Sequence, residues 1–295
     1  MSLSSEDFVS ILAVAVNAAR AAGGLILLAR GSVGTAVEST KSGFQDLVTL
    51  TDKACEDAIG AIISAAFPSH VILGEESIAP GREASKAAVD AISDAEWVWV
   101  IDPIDGTTNF VSGIPLSCVS IGVALRGTVV VAVIYEPYRD ELFSAIRGEG
   151  AKLNGAPIHV ALVDGMRNAL FGFGTHNNPL MGHAMIRAAG GFVDTARGLR
   201  ALGSAAIALA YVSCGRLGAF FEIDLSSWDL AAGSLIVVEA GGKITDTKGG
   251  EYTLRTRDIL ASCGGATIHE EALIILKNAA SNSSDDIYVA AKTLL

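Results

Sequence analysis

One stretch of the chain, residues 98–110, constrains the fold more than any other, and it has the sequence VWVIDPIDGTTNF. The apolar run Val98–Ile101 is rich in β-branched residues and contains no polar side chain, which predicts a buried strand. Pro103 suits the second position of a tight turn, so we expect Asp102 and Asp105 to be its first and last residues. Two carboxylates that converge in this way repel each other unless they are protonated or bind a cation. Hard divalent cations prefer such oxygen ligands.

A plain acidic turn is the alternative interpretation of this stretch, because a Pro-x-Asp-Gly turn after a strand is common and its acids usually face water. The two threonines that follow Asp105 and Gly106 make the string more restrictive than an Asp-x-x-Asp pair alone. The sequence therefore favours a metal site at the end of this strand.

Composition narrows the class of protein. The chain has 295 residues, of which 51% are apolar and 18% charged, and this indicates a globular protein of one large or two ordinary domains. The formal net charge of -11 argues against nucleic acid or an anionic membrane as a partner.

The cysteines and the N-terminal region indicate a compartment. The four cysteines are scattered without a Cys-x-x-Cys pair, which favours free thiols in a reducing environment. The apolar stretch 8–28 follows Glu6 and Asp7 and is interrupted by Asn17 and Arg20, so it is predicted to be an amphipathic core helix and not a signal peptide. No uninterrupted run reaches the ~20 apolar residues of a membrane span. We expect a soluble, cytoplasmic protein.

Hydrophobic periodicity predicts the order of helices and strands. In the first half we expect a helix that begins at Thr51 or Asp52, a strand at 70–73, a hairpin of strands 117–125 and 128–135, and a strand at 141–146. In the second half we expect strands at 168–174 and 216–222 and a helix at about 179–189. We also expect an Ala-rich helix that opens at 202–206 and ends near 213, and a helix from 226 to about 241. Helices followed by antiparallel strands favour an α+β domain over residues 1–155, and alternating elements favour an α/β domain over 156–295.

Several polar residues at the ends of these elements have two interpretations each. Asp52 and Asp229 lie in the first turn of a helix, where a carboxylate complements the helix dipole or instead serves a site. Ser204 can cap a helix, or its turn can present free N–H groups to an anion or hydroxyl ligand. Glu75 and Glu76 follow a strand. They are either ordinary surface charges or residues that border a pocket shared with the neighbouring strand. The residues alone leave these alternatives open.

Other catalytic motifs are missing from the sequence. It contains no Gly-x-x-x-x-Gly-Lys-Ser/Thr loop, no Gly-x-Gly-x-x-Gly after a strand and no Gly-x-Ser-x-Gly elbow. The five histidines never pair at ligand spacing, which argues against a zinc or iron site. The chemistry that remains is that of carboxylates, hydroxyls and a hard metal ion.

Three strings carry a family resemblance: GEES at 74–77, DPIDGTTNF at 102–110 and WDLAAG at 228–233. Together they resemble the inositol monophosphatase family, and the resemblance extends from the first helix to about residue 275. It implies a two-domain layered α-β-α-β-α sandwich, of mixed α+β and α/β class, as in inositol monophosphatase and fructose-1,6-bisphosphatase. It also implies a lithium-sensitive, homodimeric phosphatase that uses two or three Mg²⁺ ions.

The resemblance implies a role for each matching residue. The implied metal ligands are Glu75, Asp102, the carbonyl group of Ile104, Asp105 and Asp229. The implied catalytic residues, which activate a water, are Glu75, Thr107 and, through Thr107, Asp52. The implied substrate contacts are Asp105, Gly106, Thr107, Thr108, Gly203, Ser204, Ala205, Glu222 and Asp229. Lys41 and Glu76 are implied accessory residues, although a solvated lysine is the simpler interpretation of Lys41.

The implied reaction is hydrolysis of a small phosphate ester, myo-inositol monophosphate, to inositol and phosphate. Glu222 is the clue to this substrate, because the matching glutamate of relatives that hydrolyse inositol phosphates binds ring hydroxyls. The alternatives are another phosphatase of the superfamily, acting on histidinol phosphate, fructose 1,6-bisphosphate or a phosphonucleotide, or a catalytically weak regulatory homologue.

Overall fold

The computed structural model of the chain describes residues 5–30, 37–40, 47–176, 178–264 and 266–281. Its helices are α1 (Ser5–Ala29), α2 (Leu50–Ala66), α3 (Arg82–Ala91), α4 (Thr107–Val111), α5 (Pro179–Gly190), α6 (Ala205–Ser213), α7 (Ser227–Glu239) and α8 (Ala266–Ser281). Its strands are β1 (Val37–Thr40), β2 (Leu47–Thr49), β3 (Val71–Gly74), β4 (Trp97–Asp105), β5 (Cys118–Leu125), β6 (Thr128–Glu136), β7 (Glu141–Ile146), β8 (Ala151–Leu153), β9 (Ala156–Ile158), β10 (Leu170–Phe173), β11 (Gly198–Arg200), β12 (Ala219–Glu222), β13 (Lys243–Thr245) and β14 (Ile259–Ser262). Two single 3₁₀ turns lie at Glu75–Ser77 and Met166–Asn168.

Two sheets form the frame of the molecule. The first has seven strands in the order β3-β4-β5-β6-β7-β8-β9, and only its β3–β4 pair is parallel. The second has five strands in the order β11-β10-β12-β14-β13, and β10 is parallel to both of its neighbours. The predicted hairpin of β5 and β6 is confirmed, and Arg126 and Gly127 at its turn both have positive φ, as a two-residue turn of this kind requires.

Helices and sheets alternate in layers. Side chains of β4 alternate between the faces of the first sheet: Trp99 and Ile101 belong to the core cluster shared with α1 and α2, whereas Val98 and Val100 belong to the cluster shared with α7. Helices α6 and α7 contact both sheets, and α8 contacts α5 and the second sheet. The described residues thus form helix, sheet, helix, sheet and helix layers, which confirms the expected layered α+β architecture. The division into domains at residue 155 stays a prediction, and β9 carries the first sheet on to residue 158.

The start of α2 corrects one detail of the sequence analysis. The helix begins at Leu50, and not at Thr51 or Asp52, because Thr49 is its N-cap and its hydroxyl accepts from the N–H groups of Thr51 and Asp52. The Asp52 carboxylate in turn accepts from the N–H group of Thr49, which completes a capping box.

Helix α1 is the apolar segment of the N-terminal region. Within the part of the chain that the structure describes, residues 7–29 form the one helix that is long and apolar enough to cross a membrane by length and composition. Its residues Ile11, Ala15, Ala18, Ala22 and Ile26 are buried and repeat at three- and four-residue spacing. This face packs against α2 and β6, as expected of a core helix.

Helix α8 is held to the second sheet by a buried histidine. The His269 side chain is fully buried, and its two ring nitrogens lie 2.9 Å from Thr245 Oγ1 and 2.8 Å from Ser262 Oγ. Burial lowers the pKa of His269 to about 4, so the folded protein holds this ring neutral.

We expect the wild type to have a larger free energy of unfolding than the His269→Gln variant, and this difference should shrink as the pH falls. Between about pH 6.5 and pH 4 the unfolded chain binds a proton at this histidine that the folded chain refuses. The wild-type advantage is therefore full above pH 6.5 and declines below it, by at most about 1.4 kcal/mol per pH unit. Urea unfolding of both proteins between pH 4.5 and 8 measures this gap. A gap that is independent of pH would contradict the prediction, and the same change at the exposed His159 is the control.

Candidate active site

A β-bulge in β4 brings the first two carboxylates to one face. The sequence analysis expected a tight turn at Pro103, and this was wrong, because β4 stays extended as far as Asp105. Asp102 pairs with Ser120 and Asp105 pairs with Cys118. The step between these two pairs is therefore three residues along β4 but only two along β5. Residues three apart on a regular strand point to opposite faces, whereas the extra residue of a bulge restores the same face.

Helix α7 delivers a third carboxylate, that of Asp229, from the other half of the chain. One carboxylate oxygen from each of Asp102, Asp105 and Asp229 lies within 4.8 Å of the others. The helix approaches the first sheet closely because Gly122 faces it, where an added Cβ would lie 2.7 Å from that of Ala231. The structure thus assembles three carboxylates that are far apart in sequence.

Burial and mutual repulsion disfavour full ionisation of the carboxyl groups in this cluster. Asp102 and Asp105 are buried, and Asp229 is half-buried. Burial and the neighbouring Asp105 carboxylate raise the pKa of Asp229 to about 7. Burial also raises the pKa of Asp105, although hydrogen bonds from Ser204 and the α6 backbone oppose the shift. A cation bound among these oxygens would remove the repulsion.

The first turn of α6 points at Asp105. The hydroxyl of Ser204 donates to Asp105 Oδ2 at 2.5 Å, and the N–H group of Ala206 donates to the same oxygen at 2.7 Å. The Ser204 hydroxyl also accepts from the N–H group of Ile207 as the N-cap of α6. The N–H group of Ala206 is therefore occupied by a carboxylate of the cluster and is not free for a ligand, unlike the free amides that the sequence analysis envisaged here.

Asp52 and Thr107 form the pair that the family resemblance implies. Thr107 Oγ1 lies 3.2 Å from Asp52 Oδ1 and 3.0 Å from the carbonyl oxygen of Ile104. The other oxygen of Asp52 accepts from the backbone and hydroxyl of Thr49. Burial raises the pKa of Asp52 to about 6, so this carboxylate is mostly ionised at neutral pH. The two interpretations of Asp52 are compatible, since one oxygen caps α2 and the other contacts Thr107.

The turn between β4 and α4 requires its glycine. Gly106 has φ +92°, and an added Cβ would lie 2.9 Å from the carbonyl oxygen of Leu116 and 3.1 Å from that of Gly203. Gly106 is the N-cap of α4, and Thr107 and Thr108 are its first residues. The first N–H groups of a helix lack partners within the helix, so this turn suits an anion.

Two cavities of about 300 Å³ each meet at the carboxylate cluster. The first cavity is lined by Asp105, the residues 106–109 and the turn 202–205. The second is lined by Asp229, Ser85, Arg82 and Arg257. Glu75 and Glu222 line both cavities.

Glu75 lines both cavities from the end of the neighbouring strand. Gly74 of β3 pairs with Ile101 of β4, so the next residues along these parallel strands are Glu75 and Asp102. Glu75 is half-buried and lines the cavity, but it is outside the set of three carboxylates that lie closest together. Glu76 is its half-buried neighbour, and Lys41 lies outside the described residues.

Glu222 ends β12 beside the cluster. Burial, Asp229 and Asp105 raise its pKa well above the usual value. Gly174 makes room for this carboxyl group, since an added Cβ would lie only 1.8 Å from Glu222 Cδ. The sequence analysis did not single out Gly174, because no local pattern links it to a residue on another strand.

Asn109 is a site residue that the sequence analysis quoted but gave no role. Its side-chain nitrogen donates to the carbonyl oxygens of Leu116 and Leu202, each at 2.8 Å. A Cβ on Gly203 would lie 2.8 Å from this nitrogen. Asn109 therefore fastens the turn before α6 to the motif that contains Asp105.

We expect the Asn109→Asp variant to raise KM about tenfold, since it replaces two donors with acceptors that face buried carbonyl oxygens, at a cost of about 1–3 kcal/mol. The turn 202–204 should then shift relative to the first cavity, and the melting temperature should fall by a few degrees. Steady-state kinetics and thermal melts measure both effects. Unchanged KM would contradict the prediction, and Asn168→Asp at an exposed position is the control.

Comparisons with known proteins show that this fold is that of a superfamily of phosphatases, and that the family concerned is generally Mg²⁺-dependent. A family model described as the inositol monophosphatase family matches residues 7–280. The chain belongs to the inositol monophosphatase family.

Relatives and solved structures agree with this membership. The chain is 41% identical to inositol monophosphatase 2 of Solanum lycopersicum over 260 residues, which cover 87% of this chain and 94% of the relative. It is 40% identical over 252 residues to the Nus factor SuhB of Escherichia coli strain K12, covering 85% and 90% of the two chains.

Among solved structures, the extragenic suppressor protein suhB of Bartonella henselae superimposes with a TM-score of 0.81 at 34% identity, covering 90% of this chain and 98% of the other. The inositol monophosphatase of Anabaena superimposes with a TM-score of 0.77 at 33% identity, covering 92% and 97%.

Proposed function

We propose that this protein is a Mg²⁺-dependent phosphomonoesterase that hydrolyses myo-inositol monophosphate to inositol and phosphate. The observation that carries the proposal is the convergence of Asp102, Asp105 and Asp229 within 4.8 Å beside the N-terminus of α4. Membership of the inositol monophosphatase family supports the reaction class. The name of the tomato relative supports the choice of substrate.

The donor set fits Mg²⁺. It consists of carboxylate oxygens, and Mg²⁺ prefers oxygen ligands and binds through few carboxylates while it retains waters. Burial raises the pKa of Asp229 and Asp105, and a bound cation would offset the cost of ionising them. Two or three ions would be held by Glu75, Asp102, the Ile104 carbonyl group, Asp105 and Asp229. When bound, Mg²⁺ would offset these charges, activate a water for attack on phosphorus and stabilise the leaving oxygen.

Thr107 and Asp52 are proposed to orient the attacking water. Thr107 lines the first cavity, and its hydroxyl hydrogen is directed to Asp52 or to the Ile104 carbonyl oxygen. The lone pairs of Thr107 Oγ1 are therefore available to accept a proton of a water in the cavity, and Glu75 would hold the other side of that water. Asp52 acts through Thr107 because it fixes the direction of the hydroxyl.

The residues proposed to contact substrate line the first cavity. The N–H groups of Gly106, Thr107 and Thr108 would bind phosphate oxygens at the start of α4. The turn Gly203–Ala205, with Ser204 at its centre, and Glu222 would bind hydroxyl groups of the leaving alcohol. Carboxyl groups and backbone amides suit a polyol because they pair with its hydroxyls.

A phosphate-release screen tests the proposal. The wild-type protein would be assayed with myo-inositol monophosphate, histidinol phosphate, fructose 1,6-bisphosphate and a phosphonucleotide, with Mg²⁺ and with EDTA. We expect the highest kcat/KM for the inositol ester and activity only with Mg²⁺. A higher kcat/KM for another ester would overturn the proposed substrate but not the proposed reaction class. If none of the esters released phosphate, the proposal that the protein is an enzyme would be overturned, and a regulatory homologue would be favoured.

Three further expectations belong to the same proposal. Lithium should inhibit the reaction, the protein should be a homodimer, and it should act in the cytoplasm. Inhibition by LiCl in the phosphate assay and the mass from light scattering measure the first two.

A further inference from the structure

Helix α2 contains a second buried carboxylate that the proposed mechanism does not use. Glu56 lies one helical turn after Asp52, and only 9% of it is exposed. Its Oε2 accepts from the N–H group of Glu76 at 2.8 Å, and its Oε1 accepts from the hydroxyl of Ser77 at 2.5 Å. Both oxygens of Glu56 are therefore bound to the 3₁₀ turn Glu75–Ser77.

The chain makes room for Glu56 with a glycine. An added Cβ on Gly74 would lie 2.4 Å from Glu56 Oε2 and 2.5 Å from its Cδ. Gly74 is the last residue of β3 and immediately precedes Glu75. The Glu56 carboxylate thus packs against the backbone on both sides of Glu75, at residue 74 and at residues 76 and 77.

The position of this turn decides where Glu75 points. Strand β3 ends at Gly74, opposite Ile101, so the backbone of Glu75 is no longer held by the sheet register. Beyond the strand, the N–H group of Glu76 and the hydroxyl of Ser77 both donate to the carboxylate of Glu56. Glu56 is therefore placed to fix the turn that brings Glu75 to the cavity beside Asp102.

We propose that Glu56 is a positioning residue for Mg²⁺ binding, because it holds the 74–77 turn so that Glu75 faces the carboxylate cluster. The inference rests on the proposed function insofar as Glu75 is a metal ligand. Asp52 and Glu56, four residues apart on one face of α2, then align the two groups that flank the attacking water: Asp52 orients Thr107, and Glu56 orients Glu75. A residue that orients a ligand in this way typically contributes 10–100-fold, to metal affinity or to activity.

The test compares Glu56→Gln with Asp57→Asn, a change of the same charge at the exposed neighbouring residue. Glutamine keeps the shape of the side chain but replaces one acceptor with a donor. We expect calorimetry to show about 10-fold or weaker Mg²⁺ binding by the Glu56 variant, with the control unchanged. In the phosphate assay the Mg²⁺ concentration for half-maximal rate should rise equally, while KM for the ester at saturating Mg²⁺ changes less than about twofold.

A double-mutant cycle separates positioning from a structural role. In the Glu75→Gln background, Glu56→Gln should have no further effect on Mg²⁺ affinity, because Glu56 acts through Glu75. Equal Mg²⁺ affinity of wild type and Glu56→Gln, or fully additive effects in the cycle, would overturn the inference. Calorimetry needs no turnover, so an inactive wild type would overturn the proposed function alone. Ser77→Ala, which removes one of the two bonds, should give a weaker effect of the same kind.

Discussion

The Asp102→Asn and Glu75→Gln variants are expected to lose about 10³-fold or more in kcat, which is the scale of removing one electrostatic contributor from an active site. Asp102 belongs to the cluster, and one of its oxygens is within 4.8 Å of those of Asp105 and Asp229. Asparagine keeps the shape of the side chain and can still accept from the N–H group of Ile104, which lies 3.0 Å from Asp102 Oδ1. The loss would then report the missing charge and not a collapsed turn.

Stability measurements complete this test. In EDTA, the Asp102→Asn protein should melt at or above the temperature of the wild type, because one of three crowded carboxylates has gone. In Mg²⁺, the wild type should gain stability that the variant lacks. The exposed Asp94, changed to asparagine, is the control. Near-normal turnover in both the Asp102 and Glu75 variants would remove the role of the cluster in catalysis.

Mg²⁺ affinity is expected to fall about tenfold for each pH unit below about 7, because a ligand must lose its proton before it binds the ion. Burial and Asp105 raise the pKa of Asp229 to about 7, so below this pH a proton occupies the ligand. Above it the carboxylate is already ionised, and the affinity should level off. Between pH 5 and pH 7 the predicted change is therefore about 100-fold.

The ionisation of Asp229 also affects the stability of the metal-free protein. The folded-state pKa of Asp229 lies above its unfolded value of 3.8, so its contribution to stability is full below that value and is lost as the pH rises towards 7. Calorimetric titration with Mg²⁺ between pH 5 and 8, in buffers of different ionisation enthalpy, measures both the affinity and the protons released. A flat affinity with no proton release would contradict the prediction, as would an unchanged pH dependence in Asp229→Asn.

The strands and hairpins were predictable because their signals are local. The run Val98–Ile101 and the hairpin turn at Arg126 and Gly127 show their structure within a few residues. The convergence of Asp102 and Asp105 was also anticipated, but for the wrong reason. A tight turn and a bulged strand both bring these carboxylates together, and local propensity does not distinguish them because the bulge is set by pairing with β5.

Residues with remote partners could not be predicted from local patterns. Asn109 binds Leu202, which is 93 positions away, and Glu56 binds a turn 20 positions away. Nothing within either segment marks these partners. In physical terms, the fold decides which donors meet which acceptors, and a single sequence shows only the donors and acceptors themselves.

At two helix starts, one residue makes both a capping contact and a contact within the carboxylate cluster. Asp229 completes a capping box with Ser226 and also belongs to the carboxylate cluster. Ser204 caps α6 and also donates to Asp105. A carboxylate has two oxygens and a hydroxyl both donates and accepts, so structural and site roles do not compete for the same atom.

Helix α7 lies between the two sheets, and Gly122 on one side and Gly233 on the other leave it no spare room: a Cβ on Gly233 would lie 2.5 Å from Leu209. A helix wedged in this way cannot slide along its axis without steric overlap on both flanks. These close contacts therefore set the distance from Asp229 to the acids of β4 when the interior packs. We therefore expect differences in substrate preference to arise from residues at the rim of the cavities and not from the spacing of the acids at their floor.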